Sequence, residues 1–284
     1  MGSQEPFIII SKKLNRPRVS MDFITSNQNS LIKEIKALEI RKNREEKGLF
    51  IAEGLRFVEE AVKEKAQIDK IVVSNMFLES KTGLDIIDKI HNMGLSCYTV
   101  SDKIFKEISD TQTPQGILAV IKKKDAELCD IIKSNNKIVI LESLQDPGNM
   151  GTIIRTADAA GMTGVILSKG CVDVYNRKVL RSTMGSVFHL PIHRTDDFVG
   201  VINQLKEKGI KVYASHLDGS MNYYDIDECH NAAVIIGNEA NGISDEAAMA
   251  ADYLIKIPMP GRAESLNASV AAGILMYEFF RKSI

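Results

Sequence analysis

The chain has 284 residues, which suits one large domain or two of ordinary size. Apolar residues make up 44% and charged residues 26%, enough for a real core, and no run of about 18 apolar residues suggests a membrane-spanning helix. The formal net charge of −1 argues against a protein that simply coats nucleic acid. Cys97, Cys129, Cys171 and Cys229 are scattered with no C-x-x-C pair, so reduced cytosolic thiols are expected rather than a disulfide framework or a zinc site.

Residues 1–21 read as a disordered leader or extension, with Phe7–Ile10 too short for a signal-peptide core. Lys12, Lys13, Arg16 and Arg18 make a basic RNA-gripping arm the functional alternative. Helical spacing of Leu31, Ile32, Ile35 and Leu38 predicts one helix over Ser30–Lys47. Strands are predicted at Leu49–Ala52, Ile71–Val73, Leu95–Val100 and Gly116–Ile121, with helices at Gly54–Ala61 and Asp85–Met93. This alternation predicts a small α/β domain over 22–122. The charge run Lys122–Asp125 opens a linker, 123–136.

Alternation resumes over 137–284. Ile138–Leu141 is a continuous apolar run, as in a strand buried on both faces. A helix over Gly151–Ala160 follows, then strands at Val165–Leu167, Lys211–Ser215 and Ala233–Ile236. Helices are predicted at Phe198–Lys208 and about Ser265–Arg281. The pattern predicts a mostly parallel sheet with helices on both sides, whose ligands bind beyond the carboxyl ends of its strands. Residues 1–124 carry 21 Lys+Arg and 17 Asp+Glu, residues 125–284 carry 15 and 20, so a mildly basic half precedes an acidic one.

Three loops hold the unusual chemistry. Gln145-Asp146-Pro147-Gly148-Asn149-Met150-Gly151 makes a sharp turn in which Asn149 can cap the following helix, placing Arg155 one turn on, where anions are favoured. Gly237-Asn238-Glu239-Ala240-Asn241-Gly242 brackets a carboxylate and two amides with glycines and suits close backbone approach to a ligand. Ile257 to Ser269 is stiffened by Pro258 and Pro260 and enters a helix through Ser265, Asn267 and Ser269. No loop has G-x-G-x-x-G spacing, which argues against a dinucleotide-dependent oxidoreductase. His189 and His193 straddle Pro191 and read as a strand end rather than a metal pair.

In this order, D-P-G-N-M-G-T-I-I-R-T-A, I-I-G-N-E-A-N-G-I-S and I-P-M-P-G-R-A-E-S-L-N-A-S-V-A-A resemble the three motifs of the SpoU/TrmH RNA ribose 2′-O-methyltransferases of the SPOUT superfamily. The front half, through F-I-A-E-G-L-R-F-V-E-E-A and T-P-Q-G-I-L-A-V, resembles the α/β substrate-binding domain of many members. The resemblance implies a C-terminal trefoil knot, against the general rule of unknotted connections. It implies S-adenosylmethionine as methyl donor, bound near Gly237, Ile257, Met259, Ser265 and Leu266, with no metal. Asn149, Arg155, Glu239, Ser265 and Asn267 would form the catalytic neighbourhood. A cytoplasmic homodimer acting on RNA is implied too, ribosomal RNA before transfer RNA. A non-catalytic RNA-binding scaffold on the same fold is the competing expectation.

Overall fold

A computed structural model describes residues 22–227 and 230–284; the expected leader and Cys229 lie outside them. The chain divides into two compact units between Lys123 and Lys124. The first alternates β1 (Asp22–Ile24), α1 (Ser30–Ala37), α2 (Arg41–Lys47), β2 (Leu49–Glu53), α3 (Leu55–Lys63), β3 (Ile68–Ser74), α4 (Asn75–Glu79), α5 (Lys81–Asn92), β4 (Cys97–Val100), α6 (Asp102–Ile108) and β5 (Ile117–Lys122). Its sheet runs β1-β4-β3-β5-β2, with β5 antiparallel to both neighbours. Ile32 and Ile35 of α1 and Phe105 of α6 close its core over Val72 and Leu118.

The single helix expected over Ser30–Lys47 is two helices. The chain turns at Leu38–Ile40, and side chains satisfy the carbonyls that the break frees. The largely buried Arg44 guanidinium donates to the carbonyls of Leu38 (2.8 Å) and Glu39 (2.7 Å), and the Asn43 amide donates to Ala37 (2.8 Å). Arg41–Lys47 carries no apolar residue, so hydrophobic periodicity says nothing of where one helix ends and the next begins.

The second unit contains α7 (Leu128–Ile131), β6 (Asn136–Leu141), α8 (Pro147–Ala159), β7 (Gly164–Ser168), α9 (Arg177–Thr183), β8 (Ile192–Thr195), α10 (Phe198–Glu207), β9 (Lys211–Ser215), β10 (Met221–Asn222), β11 (Asn231–Ile236), α11 (Asp245–Ala250), β12 (Tyr253–Lys256) and α12 (Ala268–Arg281). Short 3-10 turns add Ser186–Phe188 and Tyr223–Asp225. The sheet order is β10-β12-β9-β11-β6-β7-β8, and every pair is parallel. Ile131 of α7, inside the stretch expected as a linker, is buried in this unit's core.

Alternate strand residues feed opposite faces. Val139, Leu141, Val234 and Ile236 pack under Met150, Ile153 and Ile154 of α8 and Leu275, Met276 and Phe279 of α12. Ile138, Ile140, Ala233 and Ile235 pack under Val201, Ile202 and Leu205 of α10 and Ala247 of α11. Both faces are therefore covered, which explains why these strands read as uninterrupted apolar runs. Parallel pairing also brings the carboxyl ends of β6, β9, β11 and β12 to one edge of the sheet.

Candidate active site at the carboxyl edge of the second sheet

Two helix starts differ from the sequence expectation, and both differences shape this edge. Asp146, not Asn149, caps α8: its Oδ1 accepts from the Asn149 N–H at 2.7 Å, with Pro147 in the first helical turn. The Asn149 side chain is thereby released for other work. Helix α12 starts at Ala268, with Asn267 as cap; Asn267 Oδ1 accepts from the Ser269 N–H (2.9 Å), the Ser269 hydroxyl (2.6 Å) and the Val270 N–H (3.4 Å). Ser265 lies in the preceding loop and is exposed.

Asn149 ties the three loops together. Its Nδ2 donates to Glu239 Oε1 at 3.1 Å, and its Oδ1 accepts from Asn267 Nδ2 at 3.0 Å. Glu239 also accepts from the backbone N–H groups of Gln145 (3.3 Å) and Asp146 (3.1 Å). A second tie runs from Asn238 Nδ2 to the Ser143 carbonyl at 2.7 Å. Glu142 accepts from both the N–H and the hydroxyl of Ser244, the α11 cap. Burial by itself would push the Glu239 carboxyl up. The Asn149 amide and the N–H groups of Glu239, Asp146 and Gln145 outweigh it, and the group lies below its ordinary value.

Gly237 is buried where β11 ends. A Cβ there would stand 2.2 Å from the Gly242 carbonyl carbon and 2.4 Å from the Ile243 nitrogen, so the loop closes on itself only because the position is glycine. Asn238 and Gly242 then pair through their backbones at 2.8 and 2.9 Å. In the third loop, Ile257 packs against the α8–α12 core and Met259 is half-buried. Among the described residues, the backbone of Pro258–Leu266 makes no hydrogen bond, and Leu266 is 37% exposed.

Of the residues singled out from sequence, Asn149, Glu239 and Asn267 are joined directly. Gly237, Ile257, Met259, Ser265 and Leu266 lie on the same three loops. Arg155 stays outside this network. It is exposed in the third turn of α8, farther from the helix start than expected, and has no hydrogen-bond or ion-pair partner among the described residues. His193 lies within β8, and its Nδ1 contacts the Ala126 carbonyl at 2.9 Å; His189 Nδ1 meets Asp158 Oδ2 at 2.7 Å. A fourth loop, His216–Ser220, escaped the sequence reading. It leaves β9, between β11 and β12, and Gly219 packs so closely that a Cβ would stand 2.6 Å from the Ile255 carbonyl carbon. Its one legible sign is the Asp218-Gly219 turn pair directly after a strand.

Residues 136–277 match the SpoU rRNA Methylase family, and residues 29–119 match the MRM3-like substrate binding domain. The 23S rRNA (guanosine(2553)-2'-O)-methyltransferase RlmP of Bacillus subtilis is 37% identical over 90% of this chain and 98% of its own. The chain belongs to the SpoU rRNA methylase family. Solved relatives agree. An AdoMet-bound rRNA methyltransferase from Sinorhizobium meliloti is 34% identical, with TM-score 0.83 over 93% of this chain and 99% of that one. The SpoU methyltransferase AviRb from Streptomyces viridochromogenes, in complex with AdoMet, is 27% identical, with TM-score 0.83 over 90% and 98%. The protein is an S-adenosylmethionine-dependent RNA ribose 2′-O-methyltransferase.

This edge suits such a donor. The backbone of Pro258–Leu266, without a hydrogen bond among the described residues, offers polar groups, while Ile257, Met259 and Leu266 offer apolar surface.

The lowered Glu239 carboxyl has a pH consequence. Its contribution to stability is present above the ordinary value of an unfolded-chain glutamate and is lost as pH falls through the lower folded value. Urea unfolding of wild type and Glu239→Gln across that range should show a stability gap that is constant near neutrality and closes on acidification. A gap that widens in acid would contradict the assignment.

Proposed function

We propose that this methyltransferase modifies a ribose 2′-hydroxyl of large-subunit ribosomal RNA, at a site formed by the three loops that Asn149 joins. The observation carrying this reading is the Glu239–Asn149–Asn267 bridge, which joins the segments that follow β6, β11 and β12. Gly237, Ile257, Met259, Ser265 and Leu266 are the residues that would hold the donor. S-adenosylmethionine supplies a methyl group that its sulfonium already makes electrophilic. The protein therefore has to bind, align and manage one proton.

Glu239 is poorly suited to take that proton. A carboxylate held below its ordinary value, with both oxygens already accepting, is a weak base. Its work is to keep loop one against loop two. Asn149 and Asn267 are orienting groups, and the exposed Ser265 hydroxyl, two residues before the α12 cap, is assigned to contact the bound donor or nucleotide. Arg155 is a cation without a partner among the described residues. We assign it to holding an RNA phosphate and favouring the alkoxide that develops on the ribose oxygen, a role its exposure and its lack of a partner among the described residues support. A guanidinium is a permanent cation in proteins, so a field effect is more economical than proton removal.

The ribosomal target is favoured by the relative acting on 23S rRNA and by the two-domain layout, with the first unit gripping RNA. A cytoplasmic location and the expected C-terminal knot belong to the same reading. So does a homodimer, for which α12 offers exposed Val270 and Tyr277 beside half-buried Ala271 and Gly273. Light scattering at micromolar concentration should give twice the chain mass, and a monomer mass would remove the dimer.

The central test is transfer of labelled methyl from S-adenosylmethionine to RNA, followed by nucleoside analysis. Label in a 2′-O-methylribose of large-subunit RNA is the expected result. Label confined to transfer RNA would move the substrate, and RNA binding without transfer would favour a scaffold. Arg155→Ala should lower transfer about 100-fold or more, as loss of a charge-stabilising group does, while calorimetry still detects S-adenosylmethionine binding. Near-wild-type transfer by that variant would refute the role given to Arg155.

A further inference from the structure

Helix α9 ends in an unusual turn. Met184 has φ +52°, one of few non-glycine residues in the left-handed region among the described residues, and Gly185 follows at φ +100°. Asparagine or glycine would occupy such a position with less strain, so a bulky residue there needs the surroundings to hold it. They do. Thr183 is fully buried, donates to the Leu180 carbonyl at 2.7 Å, and accepts from the Gly185 N–H at 3.4 Å. Ser186, also buried, begins the 3-10 turn that follows. The Met184 side chain is nevertheless 52% exposed.

This segment lies along one face of α8. A Cβ on Gly151 would stand 2.4 Å from Ser182 Cβ and 2.6 Å from the Val179 carbonyl oxygen, so α9 meets α8 at that glycine. Farther along, Asp158 contacts His189 at 2.7 Å. Gly151, Arg155 and Asp158 are spaced four and three residues apart and share a helix face. The chain from Ser182 to His189 therefore follows α8 past Arg155, and Met184 is presented on the stretch leading to it.

We propose that Met184 is a substrate-positioning residue, an apolar seat for the base of the nucleotide whose phosphate or ribose Arg155 engages. This rests on the function proposed above. A nucleotide has an anionic backbone beside a flat apolar base, and an exposed cation on α8 with an exposed thioether on the segment that packs along α8 matches both halves. Sulfur is polarizable and packs favourably on aromatic rings, and RNA recognition commonly seats unstacked bases on side chains. The strained turn keeps Met184 out of the protein's own core and displayed to solvent.

The test uses the full chain with Met184→Gly, Met184→Ala and Met184→Leu. Glycine suits the left-handed turn, so Met184→Gly should keep or raise the melting temperature while deleting the contact. Its kcat/KM for RNA should fall about tenfold or more, the loss expected when a buried apolar side chain is removed, mainly through KM. Affinity for S-adenosylmethionine should stay unchanged, Met184→Ala should lose kcat/KM alike, and Met184→Leu should recover most of it. Wild-type kcat/KM in both Met184→Gly and Met184→Ala would overturn the proposal. So would a loss of kcat/KM explained by altered oligomer mass, which would place Met184 at a contact between copies. Wild type serves as the control that separates the two readings: no RNA methylation by wild type rejects the enzyme's substrate reading, whereas active wild type with equally active variants rejects only the Met184 seat.

Discussion

One primary amide governs the geometry of the candidate site. Asn149 is separated from Glu239 by 90 residues and from Asn267 by 118, yet it hydrogen-bonds both. The direction of each bond is forced. An ionised carboxylate only accepts, so Asn149 must turn its Nδ2 toward Glu239. Asn267 spends its Oδ1 on the first turn of α12, so only its Nδ2 remains for Asn149 Oδ1. The result is a polarised relay from the start of α12 to a carboxylate, with no freedom to flip either amide. Removing the middle member would break both side-chain bonds at once and leave Glu239 held to loop one only by the N–H groups of Gln145 and Asp146.

The sheet makes that relay possible. Parallel pairing of β6 with β11 in register through Leu141 and Ile236 delivers loops one and two side by side. β12 is set one strand beyond β9, so its loop must return to reach Asn149. It does so with Pro258 and Pro260 limiting its conformations and with a backbone left unpaired by the described protein. Rigid strands thus fix the roots of the loops, and a few side-chain bonds fix their tips. This division between scaffold and site is common where function is carried by loops.

Much of this was legible in the amino-acid sequence, for identifiable reasons. Continuous apolar runs such as Ile138–Leu141 announced strands covered on both faces, and the three polar loops stood out because their residue types serve no core. Capping roles were harder. Asp146 and Asn149 are both good caps, and only the position of Pro147 within the first turn decides between them. The late start of α12 was hidden because Ser265, Asn267 and Ser269 are all plausible first-turn residues. The His216–Ser220 loop carried too little unusual chemistry to attract notice. Helix α9 was missed because seven residues with two apolar neighbours, Val179 and Leu180, give no periodic signal. The left-handed Met184 could not be foreseen, since tertiary packing imposes a conformation its own residue type disfavours.

The most direct measurement of the central claim is a double-mutant cycle on S-adenosylmethionine affinity. Asn149→Ala, Asn267→Ala and the double variant would each be titrated calorimetrically, with circular dichroism confirming the fold. If the relay holds the donor loop in place, either single variant weakens binding and the second change adds little, giving a coupling of about 1 kcal/mol or more. Fully additive losses, or single variants that bind as tightly as wild type, would contradict the claim that Asn149 organises the site.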